Sequence, residues 1–326
     1  MTNELLDDAA TALAFGQSAD SVYAKLVASG VSSALATRAV SQLIESPFFG
    51  IARSATRAAQ RYAMAAAIQR AVARQAPQGV SRRVLGEAGG ELTSAAFNES
   101  YYAASRPVVL ERFAADWPAM QWTPESMAAR IGDVTIEVTT GRERDPDYEQ
   151  HVKDRSMAVP FAEIVKRLVA QGEIPTNDWY VVANNRAMEK PEFLPLLQDL
   201  KPDQVLFDPA KLVGGVSLWL GPAGTITPWH HDNTNIMLVQ LRGKKRVRVA
   251  PPTETALLDA AKEYVSNVPA KNDPTWYATD LAPGDALFLP VGWWHHVVAF
   301  EPSISLSLTG FRRDNRFDWY KPGGIV

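Results

Sequence analysis

From about Val213 to Phe311 the chain is cut into short runs of Val, Leu and Ile by turns containing Gly and Pro, and this rhythm constrains the fold more than any other feature. Short strands separated by such turns are the composition of a barrel or a sandwich. Upstream the pattern differs. To about residue 76 the chain is alanine-rich, with Val22, Leu26, Val40 and Leu43 at three- and four-residue steps, which predicts two or three helices. Gly30 followed by Val31 and Ser32 reads as a helix stop and a new N-cap, and Ser46–Pro47 ends the next helix before a longer one. Residues 77–92, with Pro77, Gly79, Gly86, Gly89 and Gly90, read as a linker. Beyond it, β-type runs (Pro107–Leu110, Val134–Val138, Trp179–Val182) mix with a helix over Ala162–Ala170. The expectation is a mainly β protein with α: a helical region and linker over 1–90, then a strand-rich domain over 91–326.

The chain has no cysteine, which removes disulfides, thiolate nucleophiles, thiolate zinc sites and iron–sulfur clusters together. Any metal must therefore sit on His and carboxylate. A formal net charge of −3 gives no general reason to expect nucleic acid or an anionic membrane as a partner. The N-terminus opens acidic and lacks a long apolar run, so no signal peptide, no membrane span and a cytoplasmic location are expected. Between Glu45 and Glu87 every charged residue is arginine, and Arg53, Arg57 and Arg61 share one helical face. Such a face suits a phosphate or an acidic partner, but a solvated alanine-rich helix uses arginine in the same way, and that plainer reading is favoured.

Four of the five histidines form two adjacent pairs, His230–His231 and His295–His296, both in the strand-rich region. The first pair runs into Asp232, in TPWHHDNTN. Side chains two apart on a strand share a face, so His230 and Asp232 project into one site while His231 points away. A histidine from a distant strand would complete a facial triad of two His and one carboxylate, the arrangement of non-haem iron(II) sites. PGDALFLPVGWWHHVV supplies the candidates, and periodicity alone leaves both His295 and His296 open. A pair of histidines beside tryptophans is equally compatible with hydrogen-bonded core residues. Downstream, NIMLVQLRGKKRVRVAPP reads as a strand, a tight turn at Gly243 and a returning strand, with Lys245 and Val247 on one face and Arg246 and Arg248 on the other. A lysine directed into a barrel needs an anion, since an unpaired buried ammonium is costly. A lysine at the barrel rim would instead reach solvent.

With these blocks in view, the chain resembles the cupin-like JmjC-domain family of Fe(II)/2-oxoglutarate-dependent hydroxylases, and within it the asparaginyl hydroxylases of hypoxia-inducible factor. The resemblance covers roughly residues 105–311 and rests on RPVVLERFAADWPAMQWTPESMAARIG, GTITPWHHD, QLRGKKRVRVAPP and PGDALFLPVGWWHHVV, four blocks in the right order. It implies a double-stranded β-helix (jelly-roll) catalytic domain, and His230, Asp232 and His295 as the iron ligands and catalytic centre. It implies that Thr227 and Lys245 hold the distal carboxylate of 2-oxoglutarate, assisted by Tyr180 in NDWYVVANN. Thr309 falls where those hydroxylases carry an asparagine near the cosubstrate. Ile236 replaces another, and Asn235, one place earlier, is assigned to the pocket in its stead. The cofactors implied are Fe(II), 2-oxoglutarate and O2, and the reaction is hydroxylation of a C–H of a protein or peptide side chain with release of succinate and CO2. Trp219, Trp229, Trp293 and Trp294 would serve as pocket walls or as plain core, the latter being commoner.

A small-molecule or RNA substrate, a cupin metalloenzyme that does not use 2-oxoglutarate, and a non-catalytic metal-binding interaction module are the alternatives, since fold does not fix substrate. The oligomeric state is left open; if a homodimer forms, the N-terminal helices are the expected surface, because the tail NRFDWYKPGGIV is too short for the C-terminal helices through which the asparaginyl hydroxylases dimerise.

Overall fold

Strand after strand forms where the apolar runs lie. The structure is a computed structural model and describes residues 2–75, 79–183, 186–262, 265–266, 274, 276–315 and 317, so the tail from residue 318 lies outside it. In chain order the strands are β1 (Ser81–Val84), β2 (Val108–Glu111), β3 (Thr135–Thr140), β4 (Ser156–Pro160), β5 (Trp179–Tyr180), β6 (Val216–Gly221), β7 (Ile226–His230), β8 (Ile236–Arg242), β9 (Lys245–Ala250), β10 (Ala261–Lys262), β11 (Val265–Ser266), β12 (Tyr277–Leu281), β13 (Ala286–Leu289), β14 (Trp294–Ala299) and β15 (Ser303–Leu308). They build two six-stranded sheets, β1-β2-β13-β8-β15-β6 and β10-β11-β7-β14-β9-β12, with a small third sheet, β4-β3-β5. Apart from the parallel pair β1–β2, the pairings are antiparallel. The two large sheets make the jelly-roll sandwich that the sequence led us to expect.

Burial explains the composition of each strand. Val109, Leu287 and Leu289 of the first sheet meet Val247, Val249, Leu281 and Val297 of the second, forming the interior of the sandwich. The other face of the first sheet, with Leu110, Phe288, Met237, Val239 and Leu306, belongs to a larger apolar core that also takes in Phe161, Ile164 and Leu168 of the helix Phe161–Gln171. A sheet covered on both faces reads as an almost continuous apolar run, as IMLVQL does in β8. In β15 the alternation is sharper. Ile304, Leu306 and Leu308 join the outer core, while Ser303, Ser305 and Ser307 face the interior and leave room there. Buried Ser305 donates to Gln240 Oε1 at 2.8 Å and Ser307 Oγ accepts from Trp219 Nε1 at 2.7 Å, whereas Ser303 Oγ is buried without a hydrogen-bond partner among the described residues.

Two sequence expectations are corrected. Residues 81–84 lie within the stretch read as a linker, yet they form β1, in register with Val108–Glu111. Arg82 pairs with Glu111 at 2.7 Å and Asp285 at 2.8 Å, which ties an edge strand to the barrel. The boundary between the two compact units accordingly lies at 77/78, not near residue 90. The turn at Gly243 also differs. β8 belongs to the first sheet and β9 to the second, so the chain changes sheets there and does not return along its own strand.

The unit 1–77 holds four helices, α1 (Asn3–Ala14), α2 (Ala19–Ala28), α3 (Ser33–Glu45) and α4 (Phe49–Gln75). Thr2 and Ser18 accept hydrogen bonds from Leu5 N and Ser21 N as N-caps, at 3.4 and 3.2 Å. Gly30, at φ +88°, ends α2 and Ser32 caps α3, as the sequence indicated. Ala9, Leu13, Val22, Leu26, Ala36 and Val40 form its core, and Arg53, Arg57 and Arg61 are exposed. Among the described residues no helix is long and apolar enough to cross a membrane.

Candidate metal and cosubstrate site

β7 and β14 are antiparallel neighbours, and their register places His230 directly opposite His295. The register shifts between His295 and Val297, a bulge of the kind that re-aims side chains next to sites. The imidazole centroids are 4.0 Å apart, and Nε2 of His295 is 3.4 Å from Oδ2 of Asp232. Ligand atoms of His230, Asp232 and His295 all lie within 4.8 Å of one another. Each histidine is held from behind: Nδ1 of His230 lies 2.8 Å from Pro228 O, and Nδ1 of His295 lies 3.0 Å from Trp293 O. A carbonyl only accepts, so each Nδ1 carries the proton and each Nε2 presents its lone pair to the site. Burial, then the nearness of His230, holds His295 well below the ordinary imidazole range. It is therefore neutral, the form that binds metal. Loss of water pushes the Asp232 carboxyl up, while His230 pulls it back. Two imidazoles and a carboxylate converging without sulfur fit a divalent iron.

The other histidine of each pair turns its ring toward a tryptophan, although His231 also borders the cavity at the triad. His231 meets the edge of the Trp294 ring at 4.6 Å, and His296 lies 5.8 Å from the Trp229 ring. Trp229 and Trp294 belong to a separate apolar cluster with Leu257 and are core, whereas Trp219 lines the cavity. Partly buried Trp293 packs at the edge of the sandwich interior and donates Nε1–H to Ser105 O at 2.9 Å.

A cavity of about 420 Å³ opens between the two sheets at the triad. Thr227, Tyr180, Lys245 and Thr309 line it together with His230, Asp232 and His295. Lys245 is 2 % exposed, and its Nζ donates to Tyr180 Oη at 2.9 Å. Desolvation pushes this ammonium down to about 7. Burial also raises the Tyr180 phenol, so the hydroxyl keeps its proton as a donor. Gly221 of β6 allows this arrangement, since a Cβ there would lie 2.6 Å from Tyr180 Cδ2. Thr309 sits at the wall, its hydroxyl 3.4 Å from Gly215 O.

Asn235 is a correction, because it does not line the cavity. Its Oδ1 accepts from Val291 N at 2.9 Å, and its backbone is bound by Asn315. Strand alternation gives the cavity Ile236 and Leu238 instead.

Two residues went unrecognised in the sequence. Glu149 lines the cavity, with its Oε2 buried and without a hydrogen-bond donor. Arg142, 1 % exposed, lies 3.8 Å from it. Both stand in GRERDPDYEQ, whose charge density is that of a solvated loop, and no spacing rule separates the buried members from the exposed ones.

The cupin-like domain model matches residues 94–308, more than half the chain. The chain belongs to the cupin-like domain family. It is similar to lysine-specific demethylase JMJ30 of Arabidopsis thaliana, 28% identical over 65% of this chain and 51% of that protein. It is equally similar to Jumonji C domain-containing protein 5 of Drosophila melanogaster, 28% identical over 65% of this chain and 56% of that one. HSPB1-associated protein 1 of Rattus norvegicus matches at 24% over 72% and 55%. The chain spans about half the length of these curated relatives. These matches agree with the JmjC resemblance, and the cofactors that go with it are iron(II), 2-oxoglutarate and O2.

Proposed function

We propose that this chain is an iron(II)- and 2-oxoglutarate-dependent oxygenase that hydroxylates a C–H bond of a protein or peptide side chain. The observation that carries the reading is the sharing of one cavity by the His230–Asp232–His295 donor set and a buried lysine that has no carboxylate partner among the described residues. His230, Asp232 and His295 would hold the iron. Lys245, Tyr180 and Thr227 would take the far carboxylate of 2-oxoglutarate, with Thr309 at the wall beside it. Iron bound there supplies the activation of dioxygen that the protein's own groups cannot perform. The overall reaction consumes 2-oxoglutarate, O2 and R–H and gives succinate, CO2 and R–OH, one oxygen atom going to each of the two oxidised products.

The protein's contribution is placement. The carbonyls behind His230 and His295 fix the two rings, and the Lys245 ammonium fixes the direction of the cosubstrate. With Lys245 and Asp232 engaged, Glu149 is the remaining charged side chain lining the cavity among the described residues, which favours a substrate group bearing positive charge. Two of the relatives above are named for Jumonji C or for lysine demethylation. Where the C–H attacked is on an N-methyl group, the hydroxylated product loses formaldehyde, so demethylation is the second reading.

The test is succinate formation by iron-loaded protein exposed to air, with peptides carrying lysine, N-methyl-lysine or arginine. Wild type is expected to turn over one of them, with the gain of one oxygen in mass or with release of formaldehyde. His230→Ala should lose at least ~100-fold. A wild-type protein that binds neither iron nor 2-oxoglutarate would sink the assignment.

A further inference from the structure

Behind the cosubstrate wall lies a cation that the triad chemistry does not use. Arg142 is buried, yet its Nε and Nη1 find no hydrogen-bond acceptor among the described residues. Its guanidinium lies 4.2 Å from the Tyr148 ring centroid and 5.4 Å from that of Tyr180. Nη2 donates to Ile226 O at 2.6 Å, and Tyr148 Oη donates to the same carbonyl at 3.1 Å. On the other side of that residue, Ile226 N donates to Asn177 Oδ1 at 2.8 Å. Ile226 immediately precedes Thr227, and Tyr180 is the partner of Lys245.

We infer that Arg142 is a positioning residue for the distal carboxylate of the cosubstrate: it fixes Thr227 through the Ile226 carbonyl and Tyr180 through its ring face. The inference rests on the oxygenase reading of the cavity. Burying a guanidinium is expensive, and a residue needed only to fill volume would be apolar. Arginine fits here because one planar group stacks on aromatic rings and still donates along its edge, which lysine cannot do. Its charge also matters. Arg142 and Lys245 lie 5.4 and 5.5 Å from the Tyr180 ring centroid, so a second cation stands behind the wall that Lys245 lines, and among the described residues Glu149, 3.8 Å from Arg142, is the carboxylate set against it. Such a wall favours a ligand with two carboxylates and fixes where the second one ends.

The test reads binding instead of turnover. Calorimetry on full-length, manganese-loaded protein gives the dissociation constants of 2-oxoglutarate and of 2-oxoadipate, which is one methylene longer. Arg142→Lys and Arg142→Met are expected to weaken 2-oxoglutarate ~10-fold or more. They should also narrow its advantage over 2-oxoadipate, a ratio that a general loss of stability does not move. Tyr148→Phe, which deletes one hydroxyl and leaves the fold intact, should change the same ratio in the same direction and by less. Folded Arg142 variants with both constants within twofold of wild type would overturn the inference. If neither Arg142 variant folds, an unchanged ratio in Tyr148→Phe overturns it. A wild type that binds no 2-oxoglutarate removes the oxygenase reading itself, a different result from a wild type that binds and variants that do not discriminate.

Discussion

A buried ammonium without a carboxylate beside it loses more solvation than its neighbours return, and Lys245, pushed down to about 7, therefore changes charge near neutrality. Below that pH it is protonated and receives an anion directly. Above it the side chain is neutral, and each anion bound must bring a proton with it. The sign follows: the dissociation constant for 2-oxoglutarate should be flat below about pH 6 and rise by up to ~10-fold per pH unit above 7. Calorimetry in buffers of different ionisation enthalpy should show proton uptake approaching one per ligand at pH 8, and Lys245→Met should lose both the affinity and the slope. A constant that does not vary between pH 6 and 9 would mean that Lys245 is not the anion's partner. That Lys245 shares a face with Val247, and His230 with Asp232, was legible because strand alternation is strict, whereas the rim alternative for Lys245 is settled only by its burial in the structure. The choice of His295 over His296 needed the family resemblance, since either parity suits an isolated strand. Arg142 and Glu149 were not legible, because burial of a charged loop depends on what folds over it and leaves no local period. Asn235 was misplaced by one position, and one position on a strand is a change of face.

At the scale of elements, the passage from β8 to β9 sets the site's depth, since it carries the chain from one sheet to the other immediately before Lys245. Gly243 makes it with φ +72°, and a Cβ there would lie 2.3 Å from Pro302 O. Its carbonyl also accepts from Gln240 Nε2 at 3.0 Å. Gly243→Ala therefore combines left-handed backbone strain, ~1–2 kcal/mol, with a clash against main chain that no rotamer relieves. Gly284, with φ +94° but nothing nearer its Cβ position than 3.9 Å, isolates the strain alone. Urea unfolding should show Gly243→Ala destabilised by at least ~2 kcal/mol and more than Gly284→Ala. Equal losses would refute a steric role for Pro302. The sequence revealed the turn but not its destination: a glycine between two apolar runs marks a reversal, while the sheet each run joins depends on partners far along the chain, such as Ser303–Leu308 for β8 and Trp294–Ala299 for β9. β1 escaped notice for a similar reason, because Arg82 finds its carboxylate partners, Glu111 and Asp285, far along the chain.

At the scale of the molecule, the described residues that line the cavity run from Glu149 to Thr309, within the unit that begins at residue 78. Ligands of the cavity bind the folded barrel and not its unfolded chain, so they must raise its stability by mass action. Manganese as a redox-silent stand-in for iron, together with 2-oxoglutarate at 100 times its dissociation constant, should add ~2.7 kcal/mol. For a unit of this size that is a rise in Tm of ~5–10 °C. The two ligands should separate cleanly by variant. His230→Ala is expected to lose the response to metal, and with it most of the response to 2-oxoglutarate, whose keto acid end has no other anchor. Lys245→Met should keep the metal response and lose the cosubstrate's. Addition of EDTA should return the wild-type Tm to its starting value. A metal response that survives in His230→Ala would place the cation elsewhere on the barrel, since the two remaining ligands, Asp232 and His295, leave the triad one donor short of the set on which this assignment stands.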